Sequence, residues 1–245
     1  MDKRIIVFDM DGTLIEPLEP ITDDVKDALL RCKNRGYEIA IASGSTYRSI
    51  VKQIGADFIL RFDYVFSENG TNLYKDGELL HSMDILDEIP SHALKELVEF
   101  ALDYIVRLDI PIKRGTFVEH RKSLVNICPV GRNCSKKERD EFALLDKKRG
   151  IRNQFIKELK ARFSSVEHPL RFVAGGQISI DVFPEQWNKT LVLTHLKGYS
   201  EIHFYGDNTS EGGNDYEIYN HPDVIGHTVK SYKDLISQLD DLLAH

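Results

Sequence analysis

The sequence predicts an α/β fold, a doubly wound core of parallel strands interrupted by an inserted α+β segment containing an antiparallel sheet. Three observations predict it. Ile5-Ile6-Val7-Phe8 is a continuous β-branched and aromatic run, the pattern of a strand buried on both faces of a parallel sheet. Strand-like and helix-like runs alternate up to about residue 66 and again from about residue 189, the order expected of a doubly wound domain. Between those stretches the pattern changes to hairpins and alternating strands, so one core is split by a second domain.

Taken in order, Thr22 is placed to cap a helix carrying Asp23 and Asp24 in its first turn, where the helix dipole favours carboxylates. Val25, Ala28, Leu29 and Cys32 recur at helical spacing, and Gly36 ends the run. A buried strand follows at 37–42, Ser43-Gly44-Ser45 is a turn, and a helix covers about 46–54. Tyr64-Val65-Phe66 is a third strand, and Leu73–Leu80 is a hairpin turning at Asp76-Gly77. Within the insertion, Ser91 caps a long amphipathic helix to about Leu108, and two strands between Thr116 and Val130 meet near Lys122-Ser123. Ser135-Lys136-Lys137-Glu138 fits a capping box that opens another helix. Ile178, Ile180 and Val182 alternate with Ser179, Asp181 and Phe183, a strand with one polar face. A helix from Lys189, strands at 201–205 and 225–229, a helix between them and a closing helix at 232–243 complete the core. The expected division is 1–81 with 188–245 as one domain and 82–187 as the insertion.

Composition narrows the function classes. With 42% hydrophobic and 29% charged residues, the 245-residue chain has the balance of a globular protein with a sizeable core. Its net charge of −7 argues against a DNA-coating or anionic-membrane role, so neither nucleic acid nor membrane is an expected partner. No stretch approaches the roughly 20 apolar residues of a membrane span. The start, Met1-Asp2-Lys3-Arg4 before a short apolar run, does not read as a signal peptide. Cys32, Cys128 and Cys134 are odd in number and lack metal-type spacing. The expectation is a cytoplasmic protein.

The chemistry centres on Asp9-Met10-Asp11-Gly12-Thr13, directly after the first strand. On an extended chain residues i and i+2 point the same way, so both carboxylates face one spot at the carboxyl end of the strand, where ligands bind in open α/β sheets. Gly12 permits the tight exit turn. Two carboxylates this close require a proton or a cation between them, and Mg²⁺ suits hard oxygen ligands together with a phosphate oxygen. Ser45 follows the second strand, Lys189 starts a helix, and Gly206-Asp207 with Asn214-Asp215 follows a late strand. Alone, DMDGT could be a calcium-binding turn, and Lys189 a solvated helix-end lysine. In this order the motifs resemble the haloacid-dehalogenase superfamily, which implies a Rossmann-like doubly wound parallel-sheet core with an inserted α+β cap domain. In that reading Asp9 is the nucleophile and Asp11 the general acid and base. Asp9, Asp207 and the backbone carbonyl of Asp11 hold Mg²⁺, while Ser45 and Lys189 receive the phosphoryl oxygens. Asn214 and Asp215 orient the metal's waters.

The insertion carries an opposite charge. Between Lys113 and Arg139 eight Lys or Arg face only Glu119 and Glu138. This is either a solvated face or a second anion site built from arginines, whose planar fork suits phosphate. Four segments then resemble the eukaryotic-type phosphomannomutases: 113–119 (KRGTFVE), 129–135 (PVGRNCS), 175–184 (GGQISIDVFP) and 206–215 (GDNTSEGGND). The resemblance implies that Arg121, Arg132 and Arg139 grip a distal phosphate and that Ser179 and Asp181 bind the sugar. It also implies a cap that mediates a homodimer, a hexose 1,6-bisphosphate activator, and interconversion of mannose 6-phosphate and mannose 1-phosphate for GDP-mannose synthesis. Against the family pattern, Leu18 replaces an arginine, Ser43-Gly44-Ser45-Thr46 replaces Gly-Gly-Ser-Asp, and His120 replaces an aromatic. His221 and Val224 stand where a second cation would be held. The alternatives are a sugar-phosphate phosphatase of the same superfamily and a catalytically silent sugar-phosphate binder.

Overall fold

The computed structural model describes residues 3–17, 19–163 and 169–244, so Leu18 lies outside the described residues. The chain divides into two compact units, Met1–Ser82 with Trp187–His245, and Met83–Gln186.

The first unit is built on a seven-stranded sheet. It contains β1 (Arg4–Phe8), α1 (Asp23–Asn34), β2 (Tyr37–Ala42), α2 (Tyr47–Ile54), β3 (Tyr64–Ser67), β4 (Asn72–Lys75) and β5 (Glu78–Ser82). The second unit follows with α3 (Ile85–Glu88), α4 (Ser91–Arg107), β6 (Val118–His120), β7 (Val125–Ile127), α5 (Lys136–Arg149), α6 (Ile151–Phe163), β8 (Leu170–Gly175) and β9 (Ser179–Pro184). The first unit resumes with a 3₁₀ helix (Lys189–His195), β10 (Glu201–Gly206), α7 (Tyr216–Tyr219), β11 (Ile225–Thr228) and α8 (Tyr232–Leu243).

Strand order in the large sheet is β11-β10-β1-β2-β3-β4-β5. The first five are mutually parallel, and β4 and β5 run antiparallel as the hairpin. The apolar run in β1 has a simple cause: Ile6 and Phe8 pack on one face with α1 and α8, while Ile5 and Val7 pack on the other with Phe66, Val192 and Phe204. Because β1 leaves toward β2 on one side and is flanked by β10 on the other, its carboxyl end is a topological switch point. Asp9 continues β1, with its N–H donating to the Tyr205 carbonyl at 2.8 Å.

The second unit is a four-stranded antiparallel sheet in the order β6-β7-β9-β8, with α+β character as expected. Register places Glu119 opposite Asn126, Asn126 opposite Asp181, and Asp181 opposite Val173. These four share one face, whereas Val125, Ile127, Ile180 and Val182, one position over, are buried.

Some local expectations need correction. Thr22 occupies the N-cap of α1 with extended backbone, but its side chain makes no capping bond. Pro90, not Ser91, holds the N-cap of α4, so Ser91 is its first helical residue and proline's fixed φ sets the entry. The helix from Lys189 is 3₁₀, entered through Asn188, whose Oδ1 accepts from the Thr190 N–H at 2.9 Å. The capping box at Ser135 and Glu138 forms as expected. The strand β8 and the helix α6 have no counterpart in the sequence reading.

Candidate active site

The turn after β1 is closed by Gly12 N–H donating to the Ile15 carbonyl at 2.8 Å and Leu14 N–H to Met10 at 2.9 Å. Gly12 has φ +86°, and a Cβ there would lie 2.4 Å from Oδ2 of Asp207. Two requirements, left-handed backbone and close approach, therefore demand glycine. Gly12→Ala is expected to cost on the order of 1–3 kcal/mol from backbone strain alone, and to displace Asp207 as well. Urea unfolding and metal titration of the variant check both effects.

An open cleft of about 300 Å³ is lined by Asp9, Asp11, Ser43, Gly44, Ser45, Asp207, Asn208 and Asn214. Ser45 is held by its N–H to Ser43 Oγ at 3.1 Å, and by its carbonyl, which accepts from Glu68 N–H at 3.0 Å. On the far side, Asp215 Oδ2 accepts from Asn208 N–H at 3.1 Å, and Asn208 Nδ2 donates to Asn214 Oδ1 at 3.0 Å. Gly206 lets the chain pass, since a Cβ there would meet Asp215 Oδ2 at 2.5 Å.

Lys189 is wholly buried, and its ammonium donates to Asp9 Oδ1 and, at 2.6 Å, to Asp215 Oδ1. Burial works against this charge, but the two carboxylates more than offset it and hold its pKa above the ordinary lysine value. Burial pushes the Asp9 carboxyl up to about 6; Lys189 pulls it down and Asp215 pushes it up. Asp207, exposed at its outer side, is also raised, by desolvation first and then by Asp215. Carboxylate oxygens of Asp9, Asp207 and Asp215 come within 4.8 Å of one another. One lysine among three carboxylates leaves the cluster negative.

In the second unit, Glu119 Oε2 accepts from Nε and Nη2 of Arg121 at 2.9 and 2.7 Å, and lies 3.2 Å from Arg132 Nε. Arg132 Nη1 donates to Asn126 Oδ1 at 2.8 Å, and Asn126 Nδ2 donates to Asp181 Oδ1 at 2.5 Å. Ser179 Oγ donates to the Gly175 carbonyl at 2.8 Å. Arg139 lies in the first turn of α5, half-buried, with no carboxylate partner among the described residues.

The family model for eukaryotic phosphomannomutase matches residues 25–245. A phosphomannomutase of Babesia bovis is 57% identical over 244 residues, covering 100% of this chain and 99% of that protein. One from Arabidopsis thaliana is 46% identical over 234 residues, covering 96% and 94%. The chain belongs to the eukaryotic phosphomannomutase family. A solved haloacid dehalogenase-like hydrolase from Bacteroides thetaiotaomicron matches with a TM-score of 0.64 at 16% identity, over 98% of this chain and 99% of that one, and shares its fold.

Within this phosphomannomutase-family chain, the structure gathers Asp9, Asp11, Ser45, Asp207 and Asn214 around one cleft, with Lys189 and Asp215 buried against Asp9. Asp215 stands closer to the chemistry than its expected role of orienting waters, because its carboxylate joins those of Asp9 and Asp207. The Asp11 side chain is not in that three-carboxylate group. Arg121, Arg132 and Asp181 form one connected network in the second unit, and Ser179 and Arg139 flank it by sequence. Asn126 and Glu119 are the residues that sequence reading missed as site members; their shared polar face with Asp181 was the available signal. At the departure near the C-terminus, His221 Nδ1 accepts from Asp223 N–H at 3.2 Å, so the imidazole serves its own turn. No helix among the described residues is long and apolar enough to cross a membrane.

Proposed function

We propose that this chain is a Mg²⁺-dependent phosphomannomutase, interconverting mannose 6-phosphate and mannose 1-phosphate in the supply of GDP-mannose. The observation that carries the reading is a buried aspartate at the sheet's switch point, held by a buried lysine, in a family whose relatives bear that name. Asp9 attacks phosphorus of a hexose 1,6-bisphosphate, forming an acyl phosphate as the sugar P–O bond breaks. Asp11 gives its proton to the departing sugar oxygen, and later takes one from the hydroxyl of the next acceptor. That acceptor is a hexose monophosphate, so attack on the acyl phosphate regenerates the bisphosphate and frees Asp9. Lys189 keeps Asp9 ionised and oriented, and Ser45 offers a hydroxyl to the phosphoryl oxygens.

The three carboxylates fit Mg²⁺: hard oxygen donors, net negative, with Asp9 and Asp207 raised in pKa by burial first and then by the neighbouring Asp215 charge. Asp9 and Asp207, with Asp215 beside them, would hold it, and it would supply charge neutralisation at the phosphoryl oxygens. Mg²⁺ at a hundredfold excess over its dissociation constant should stabilise the fold by about 2.7 kcal/mol. Because binding needs ionised carboxylates and Asp9 takes up a proton near pH 6, that gain should shrink as pH falls below about 6. Thermal melts with and without Mg²⁺ at several pH values measure it.

The cap role of the second unit, the binding of the substrate's far end by Arg121, Arg132, Arg139, Ser179 and Asp181, and a homodimer through that unit belong to the same proposal. To test the function, mannose 1-phosphate is supplied with a hexose 1,6-bisphosphate, and mannose 6-phosphate and free phosphate are measured separately. Mannose 6-phosphate as the main product is expected. Free phosphate alone would assign a phosphatase, and neither product a binder. Light scattering at known concentration checks the dimer.

A further inference from the structure

The polar face of the second unit's sheet contains a charge that opposes its apparent purpose. Eight cations crowd residues 113–139, yet Glu119 stands among them on β6. Its position is not incidental. A single oxygen, Oε2, gathers Arg121 from the end of β6 and Arg132 from the loop after β7, at 2.7–3.2 Å. Two guanidiniums brought this close repel each other unless a counter-charge lies between them. Arg132 is fixed from a second side by Asn126, which is itself fixed by Asp181 across the β7–β9 pair. The chain Arg121–Glu119–Arg132–Asn126–Asp181 therefore orients two planar forks from a rigid sheet.

We propose that Glu119 is a positioning residue that presets Arg121 and Arg132 for the distal phosphate of a hexose phosphate; the identity of that ligand rests on the function proposed above. Donor accounting supports it. Arg121 donates Nε and Nη2 to Glu119, and Arg132 donates Nη1 to Asn126 with its Nε ion-paired to Glu119, so Nη1 of Arg121 and Nη2 of Arg132 make no hydrogen bond among the described residues. Both side chains are about one-third exposed, 34% and 31%, so these remaining donors are reachable. Counting Arg139, three guanidiniums against the two carboxylates Glu119 and Asp181 leave a formal +1, a net positive charge suited to an anionic phosphate. A fixed geometry lowers the ordering cost that flexible arginines otherwise add on binding.

The test compares wild type, Glu119→Gln and Glu119→Asp. Glu119→Gln keeps the size but loses the charge that gathers the arginines, and KM for the hexose monophosphate should rise roughly tenfold, with kcat changing less than about twofold. Glu119→Asp restores the charge one methylene back and should recover part of the loss. In a double-mutant cycle, Glu119→Gln should add little once Arg132 is alanine, because its effect runs through that side chain. Titrating a hexose 1,6-bisphosphate into the same variants in an Asp9→Asn background, by calorimetry, gives the affinity without turnover. A chain that lacks mutase activity but shows these affinity losses would sink the function reading and keep Glu119's role. An unchanged or lower KM in folded Glu119→Gln, a loss confined to kcat, or full additivity with Arg132→Ala would each overturn the proposal.

Discussion

Asp9→Asn is expected to lose turnover by on the order of 10⁴-fold or more while the fold survives. The amide is nearly isosteric with the carboxylate but is a poor nucleophile and a poor ligand for a hard cation. The fold should survive because the variant removes one charge from a crowded acidic cluster: Lys189 keeps Asp215 as its partner at 2.6 Å. Burial already disfavours the charge on Asp9, to the point of raising its pKa to about 6, so neutralising it relieves a cost even as it weakens the Lys189 pair. Circular dichroism and a urea midpoint close to wild type, together with a lost rate, are the expected pair of results. A direct readout accompanies them. Wild type mixed with a hexose bisphosphate should carry a hydroxylamine-sensitive phosphate on the peptide containing Asp9, and Asp9→Asn should carry none. Near-normal turnover in a folded Asp9→Asn sample would remove Asp9 from the role of nucleophile.

What local sequence reveals and what it conceals both follow from the range of the forces involved. The strand β1 was legible because a strand buried on both faces admits no polar residue, and Ile5 to Phe8 supply none. Asp9 and Asp11 were legible because they follow such a strand in alternation. The polar face of β9 was legible in the same way, and the register then shows which residues on β6 and β7 join Ser179 and Asp181 there. The burial of Lys189 was not legible. Its neighbours Asn188 and Thr190 are polar, and the groups that stabilise the buried ammonium lie 180 and 26 residues away. Only motif order, not periodicity, pointed to it. Helix α6 had a readable signal in Ile151, Phe155, Leu159 and Phe163, all buried at four-residue spacing. Strand β8 had none: its burial alternates irregularly, with Val173 partly exposed and Gly175 pressed against the Asp181 carboxylate. Thr22 shows the limit of residue type as a signal, since a side chain suited to capping still needs its hydroxyl aimed at a free N–H.

The second large effect concerns Lys189, where stability and chemistry are the same interaction. Lys189→Met fills similar volume but strands Asp9 and Asp215, both buried, without their cation. Breaking one side of a buried ion pair costs roughly 3–5 kcal/mol, because the partner's charge remains desolvated. That cost should depend on pH, with a sign that the geometry fixes. Asp9 has a native pKa of about 6, above the unfolded carboxylate near 4, so between those values the native state binds more protons than the unfolded one. Unfolding free energy then falls as pH rises through that window. In Lys189→Met the lysine's lowering influence is gone, the carboxyl pKa climbs further, and the window extends upward. The deficit relative to wild type should therefore be largest above pH 7 and shrink toward pH 5, where the stranded Asp9 carboxyl takes up a proton. Urea unfolding of both proteins between pH 5 and 8, without added metal, measures this directly. Adding Asp215→Asn to Lys189→Met should recover part of the loss, because it removes one of the two carboxylates left without a cation. A deficit independent of pH, or no recovery from the second substitution, would mean that Lys189 contributes packing rather than charge, and its place in holding Asp9 ionised for attack would fall with it.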